Sequence, residues 1–184
     1  MRPSTSNSPP TSSSATPPAP PRAHGRREGP LVTLTNQNDL SAANQQLSGV
    51  HCDTLHIQLE MSASAASRYG IKVRRSPAGE EETLLSYNKN DKTFCVDRTR
   101  SGAISSLFAD LGVQCGPVAL ADDVLTLDLF LDKSMVEAYA GDHKSITTRV
   151  YPARADSIGL ALFADGTVTV KSLKVWAMKS AFTD

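Results

Sequence analysis

The sequence predicts an all-β fold, an antiparallel two-sheet β-sandwich preceded by a disordered tail. Three observations carry this. Apolar and polar residues alternate at period 2 in successive runs, the signature of strands with one buried face. Turn residues interrupt these runs about every 8 to 12 positions, the rhythm of a sandwich or barrel. A single segment, Ala103 to Leu111, has helical spacing, with Ile104, Leu107, Phe108 and Leu111 on one face. Strands joined by such short turns pair antiparallel, because parallel pairing needs a long crossover.

Residues 1–30 form the tail and residues 31–184 the sandwich. Eight of the eleven prolines lie in the tail, and nine Ser or Thr residues fall between Ser4 and Thr16. Such a segment has little to bury and cannot offset its ordering entropy. Arg2, Arg22, Arg26 and Arg27 face only Glu28, so the tail is basic and the remainder mildly acidic.

The strands follow in order. Leu55, Ile57, Leu59 and Met61 alternate with His56, Gln58 and Glu60. Ile71 and Val73 alternate with Lys72 and Arg74, and Ser76-Pro77-Ala78-Gly79 makes a turn. Thr83 to Tyr87 is a third run, closed by Asn88-Lys89-Asn90-Asp91, and Phe94 and Val96 mark a fourth. Leu125, Leu127, Leu129 and Leu131 lead through Asp132-Lys133 to Met135, Val136 and Tyr139. Gly141-Asp142 turns the chain into Ile146 to Val150, and Ile158, Leu160 and Leu162 form the next strand. Asp165-Gly166 is the strongest hairpin signal. Val168, Val170, Leu173 and Val175 end the series, with a bulge expected near Ser172 where the alternation slips.

Composition excludes several functions. The chain balances 19 basic against 19 acidic residues, which argues against a nucleic-acid partner. No apolar run approaches the roughly 20 residues that cross a bilayer, so no membrane partner is expected. No secretory leader is visible, which leaves the cytoplasm as the default location. Cys52, Cys95 and Cys115 have no zinc spacing and read as small buried residues, with one disulfide left open. The histidines lack ligand spacing, and His51-Cys52-Asp53 on a strand points alternate side chains to opposite faces. No metal or cofactor is expected.

Two stretches resemble glycoside hydrolase family 32, the invertases, levanases and inulinases. Phe94-Cys95-Val96-Asp97-Arg98-Thr99-Arg100-Ser101-Gly102 is similar to the family's VDR-S/T-R-S-G segment. Leu125 to Tyr139, with Asp132, Ser134, Val136 and Glu137, resembles its L-x-L-x-x-F-x-D-x-S-x-V-E-x-F strand pair. Ile146 to Pro152 and the close from Gly159 to Trp176 follow at the expected places. The resemblance covers about Val50 to Ser180 and falls on the family's C-terminal β-sandwich, a concanavalin-like or jelly-roll-like arrangement.

The resemblance implies that the chemistry sits elsewhere, in a five-bladed propeller whose carboxylates lie in W-M-N-D-P-N-G, R-D-P and E-C motifs. Asn38-Asp39 and Asp97-Arg98 are the nearest fragments here, and neither has the flanking pattern. Retaining hydrolysis needs two carboxyl groups about 5 Å apart across the scissile bond; the sequence nominates no such pair and no catalytic residue. The chain is therefore expected to be a non-catalytic accessory sandwich that supports a propeller in cis or in trans. A free-standing module that binds fructan or another polysaccharide is the alternative.

Asp97, Arg98, Arg100 and Trp176 are the candidate interdomain or sugar contacts. Arginine offers a planar fork of donors, and alternation puts Arg98 and Arg100 on one face. Trp176 faces opposite to Val175, where it could stack a sugar or pack on a partner. Asp132, Ser134 and Glu137 read as a polar hairpin bonded to its own backbone. One outer face of the sandwich is expected to be unusually apolar.

Overall fold

The computed structural model describes residues 29–102, 112–141 and 144–179. The tail expected over residues 1–30 falls almost wholly outside the described residues, as do the helix expected at Ala103 to Leu111 and the tip of the Gly141-Asp142 turn. Eleven strands and one α-helix are described. β1 is Val32–Gln37, α1 Leu40–Leu47, β2 Thr54–Ala63, β3 Arg68–Arg75, β4 Glu82–Asn88 and β5 Thr93–Arg100. β6 is Val113–Pro117, β7 Val124–Asp132, β8 Met135–Ala140, β9 Lys144–Arg149, β10 Gly159–Ala164 and β11 Val168–Ala177.

They form two sheets. Sheet A has six strands in the order β1-β11-β2-β7-β8-β9, and sheet B has five in the order β10-β3-β4-β5-β6. Every named strand pair is antiparallel. The period-2 pattern explains the layering: Leu55, Ile57, Leu59 and Met61 of β2, Leu125 to Leu131 of β7, and Val136 and Val175 are buried on the inner face of sheet A. Tyr69, Ile71, Leu85, Tyr87, Phe94 and Val96 meet them from sheet B.

Several expectations hold in detail. The turns at Ser76 to Gly79, Asn88 to Asp91 and Asp132-Lys133 each join neighbouring antiparallel strands. The bulge near Ser172 is a register shift between Val170 and Ser172 against β2.

Others are corrected. Asp165-Gly166 makes no hairpin, because β10 lies in sheet B and β11 in sheet A. The turn is a crossover pinned by tertiary contacts. Asp165 accepts from the amides of Ser67 at 2.8 Å and Arg68 at 2.9 Å. A Cβ on Gly166 would come 2.8 Å from the Ala65 carbonyl oxygen, so glycine is needed for a close approach.

Three elements escaped the sequence pattern: β1, β6 and α1. Helix α1 begins where Asp39 accepts from the amides of Ser41 at 2.8 Å and Ala42 at 3.1 Å, an ordinary N-cap. It buries Ala43 and Leu47 and covers β10, the edge strand of sheet B.

Candidate functional site

Asp97, Arg98 and Arg100 lie at the end of β5, and the structure separates them. A register shift between β4 and β5 sets Leu84 against Asp97 but Glu82 against Arg100. Two residues of β4 thus span three of β5, a bulge at Thr99. The bulge breaks the alternation, so Arg98 and Arg100 do not share a face. Arg98 is turned inward, 7% exposed, and its Nη1 donates to the Arg149 carbonyl at the end of sheet A, 3.1 Å away. Arg100 is on the outer face of sheet B, where it meets Glu82 at 3.0 Å and donates to the Gly79 carbonyl. Asp97 accepts from the amide and the hydroxyl of Thr99, at 3.0 and 2.6 Å, a local turn.

Nearby carboxylates are equally occupied. Glu82, nearly buried, lies 2.9 Å from Lys72 and 3.4 Å from Arg75 as well as beside Arg100. Glu81 accepts from the amides of Ala153 and Arg154 and from the Ser157 hydroxyl, fixing the loop before β10. Burial alone would push the Glu81 carboxyl up, but these hydrogen bonds and the Arg154 charge outweigh it and hold it below the usual carboxylate range. The Ser76 hydroxyl holds Glu80 down, and the Arg154 guanidinium holds Asp156 down.

Trp176 belongs to a different arrangement. Strand register sets Trp176 opposite His56, His56 opposite Phe130, Phe130 opposite Glu137 and Glu137 opposite Thr147. These form one straight row across the outer face of sheet A. The His56 ring stacks on Phe130 with centroids 4.4 Å apart and planes 6° apart. Its other face stacks on Trp176 at 5.1 Å and 16°. Tyr139 meets Phe130 edge-on at 6.3 Å. His56 is fully buried between its neighbours, and its Nε2–H donates to Asp128 at 2.5 Å. His56 thus fills both of its own faces and closes one face of Trp176 and one of Phe130.

Sequence reasoning nominated Trp176 and missed His56 and Phe130. Their partnership is a matter of register between strands 74 and more positions apart in the chain. The expected apolar face is narrower than a whole sheet. Among the described residues the exposed large apolar ones, Leu31, Val113 and Tyr151, are scattered; Trp176, Phe130 and Tyr139 are half-buried on this face, and Phe163 is half-buried on β10 of sheet B.

A shallow groove of about 260 Å³ runs beside the row, lined by Gln58, Glu60, Thr126, Asp128 and Tyr139. A second cleft of about 390 Å³, lined by Asn44, His51, Arg75 and Asp156, lies between α1 and the β3–β4 turn. The polar hairpin after β7 uses Ser134 as acceptor for Arg149 at 3.3 Å. Cys95 and Cys115, read from the sequence as small buried residues with one disulfide left open, form that disulfide with Cα atoms 4.1 Å apart, since β5 and β6 pair them directly. Cys52 is a half-buried free thiol that donates to the Thr54 carbonyl. Among the described residues no group of three or more His, Cys, Asp or Glu could hold a metal ion, and no helix is long and apolar enough to cross a membrane.

Residues 27–177 match the family model for glycosyl hydrolases family 32, C terminal. The chain belongs to that family. A levanase of Bacillus subtilis is 31% identical over 147 residues, 77% of this chain and 21% of the levanase. The extracellular exo-inulinase inuE of Aspergillus niger is 32% identical over 120 residues, 64% of this chain and 22% of that enzyme. This family 32 domain thus spans about a fifth of the length of these curated relatives. Its fold matches the exo-inulinase of Aspergillus awamori with a TM-score of 0.67 at 24% identity, over 87% of this chain and 30% of that one. It matches fructan 1-exohydrolase IIa of Cichorium intybus with a TM-score of 0.68 at 18% identity, over 84% of this chain and 36% of that one.

Proposed function

We propose that this chain is the non-catalytic accessory sandwich of a fructan- or sucrose-cleaving glycoside hydrolase, supporting a catalytic β-propeller that is not among its 184 residues. The observation that carries this reading is the match of residues 27–177 to the family's C-terminal model, with only about a fifth of each relative covered. The chemistry is in keeping. A general acid for glycoside hydrolysis needs a raised carboxyl pKa. Among the described residues the carboxyl groups that are displaced, Glu80, Glu81 and Asp156, are displaced downward. Asp39, Asp97, Glu82 and Asp165 are engaged in a helix cap, a turn, a cation cluster and a crossover.

A free-standing carbohydrate-binding module is the weaker reading. Sugars stack on the open faces of aromatic rings, and His56 closes one face of Trp176 and one of Phe130. The test of the main reading is reducing-sugar release from sucrose, levan and inulin by micromolar protein over a day. The expected result equals the buffer blank. Release that survives removal of contaminating hydrolases overturns the reading.

A further inference from the structure

We propose that the Cys95–Cys115 disulfide is a thiol–disulfide exchange site, opened by a dithiol while the domain stays folded, and that opening it releases β6 from the edge of sheet B. The site is independent of the accessory role proposed for the chain.

β6 has little else to hold it. Val113, Cys115 and Pro117 are exposed, and the one buried residue of the strand, Gly116, has no side chain. The buried apolar core takes side chains from β3, β4, β5 and β10 of sheet B and none from β6. Gln114 is turned toward the core by alternation, and its side-chain oxygen is buried with no hydrogen-bond partner among the described residues. An unpaired buried acceptor opposes the docked position. At the rim of the sandwich β6 meets a charged side chain, since a Cβ on Gly116 would collide with Lys144 of β9. What remains is backbone pairing with β5. It is bracketed by the Arg98 amide on the Gly112 carbonyl at 2.6 Å and the Val118 amide on the Lys92 carbonyl at 2.8 Å. In water the net contribution of such bonds is small and similar to the entropy cost of ordering the strand. The disulfide decides the balance.

The bridge is open to a reagent. Phe94 and Val96 face the core, so Cys95 between them faces out. Cys95 is half-buried and Cys115 exposed, and exposed disulfides are the labile ones. A thiolate of the dithiol attacks Sγ of Cys115. The Sγ–Sγ bond breaks, and Cys95 leaves as a thiolate that takes up a proton. The second thiol of the reagent, once deprotonated, attacks the reagent sulfur of the mixed disulfide and expels the Cys115 thiolate, which is protonated in turn. Two electrons pass to the protein, and the dithiol ends as a disulfide. The core survives this step, because Phe94 and Val96 stay paired with Tyr87 and Leu85 of β4. Val118, buried just past the strand, anchors the released segment. β5 then becomes an open edge.

The test treats the full chain with dithiothreitol well below its unfolding midpoint. Alkylation counts the thiols, and hydrogen exchange read by mass spectrometry follows each strand. The expected thiol count rises from the single Cys52 to all three cysteines, at a rate proportional to dithiothreitol concentration. Exchange should accelerate by about tenfold or more over residues 112–118, while β2 and β7 keep their protection. Gln114→Leu puts apolar volume where the unpaired oxygen lies and should slow exchange in the reduced β6 several-fold. A reduction rate independent of dithiothreitol concentration and equal to the rate of global unfolding overturns the exchange site. Unchanged exchange in β6 after reduction overturns the release. Protection lost throughout the sandwich makes the bond a staple of the whole fold and overturns the proposal. Equal exchange in reduced wild type and reduced Gln114→Leu overturns the weak hold of β6 on which the release depends.

Discussion

Glu81 accepts the Ser157 hydroxyl at 2.6 Å across 76 positions of sequence. With the amides of Ala153 and Arg154 at 3.0 and 3.2 Å, it ties the loop before β10 to the start of β4. Hydrogen bonds to a charged acceptor contribute about 1.5–3 kcal/mol. Glu81→Gln should therefore cost about 2 kcal/mol, or about 4–8 °C of midpoint for a domain of this size. The folded carboxyl titrates below its unfolded value. Its contribution is complete above the ordinary carboxylate range and is lost as pH falls through the lower, folded value. Thermal melts from pH 7 downward should show a shallower acid slope for Glu81→Gln than for wild type. Parallel slopes would remove Glu81 as a source of acid sensitivity.

The Cys95–Cys115 disulfide ties β6, the outermost strand of sheet B, to β5. A loop of this length predicts a loss of about 3 kcal/mol on breaking the bond. The Cys95→Ser, Cys115→Ser double variant should unfold at a lower temperature, with hydrogen exchange accelerated first in β6. Thiol titration of the native, unreduced chain should find one group, Cys52. Three titratable thiols, or an unchanged midpoint, would contradict this.

β6 also shows where sequence reasoning stops. Val113-Gln114-Cys115-Gly116-Pro117 has no apolar alternation; pairing with β5 and the disulfide make it a strand. The long strands β2, β7 and β11 were legible because each buries every second side chain, a pattern that register alone cannot disguise. α1 was missed because two turns expose too short a stripe, although Asp39 before Leu40 and Ala43 was a usable cap signal. Asp165-Gly166 was misread because local turn chemistry does not say which sheet receives the next strand. At the site, Trp176 was nominated from its parity against Val175. Arg98 and Arg100 were grouped wrongly, because one extra residue at Thr99 inverts the parity that followed.

Gly70 pairs with Ser86 in the centre of sheet B. A Cβ built there would lie 2.1 Å from the Leu85 carbonyl oxygen and 2.9 Å from the Ser86 Cα, both backbone atoms within a sheet. Gly70→Ala should destabilise by about 3 kcal/mol, the upper end for overpacking, because neither strand can retreat without losing its ladder. Gly49, whose Cβ would meet nothing within 4 Å, is the control, and Gly49→Ala should stay within about 0.5 kcal/mol. Urea denaturation of the two variants measures the difference. Similar midpoints would mean that β3 and β4 separate more easily than their pairing implies.

Asn44 protects the open edge of sheet B. From α1 its side-chain amide donates to the Leu162 carbonyl at 3.1 Å, and its side-chain oxygen accepts the Leu162 amide at 2.6 Å. One side chain thus imitates a neighbouring strand on β10. An unprotected edge is a template for pairing with another chain. Asn44→Ala removes two hydrogen bonds at about 1 kcal/mol each and frees both Leu162 backbone groups. The expected outcome is a loss of about 2 kcal/mol together with concentration-dependent association, read by light scattering. Asp39→Ala separates the two effects. It weakens the start of α1 by about 1 kcal/mol through the lost cap but leaves Asn44 in place, so it should lower the midpoint without promoting association. Association by both variants, or by neither, would show that the helix as a whole guards the β10 edge and that the paired hydrogen bonds of Asn44 do not.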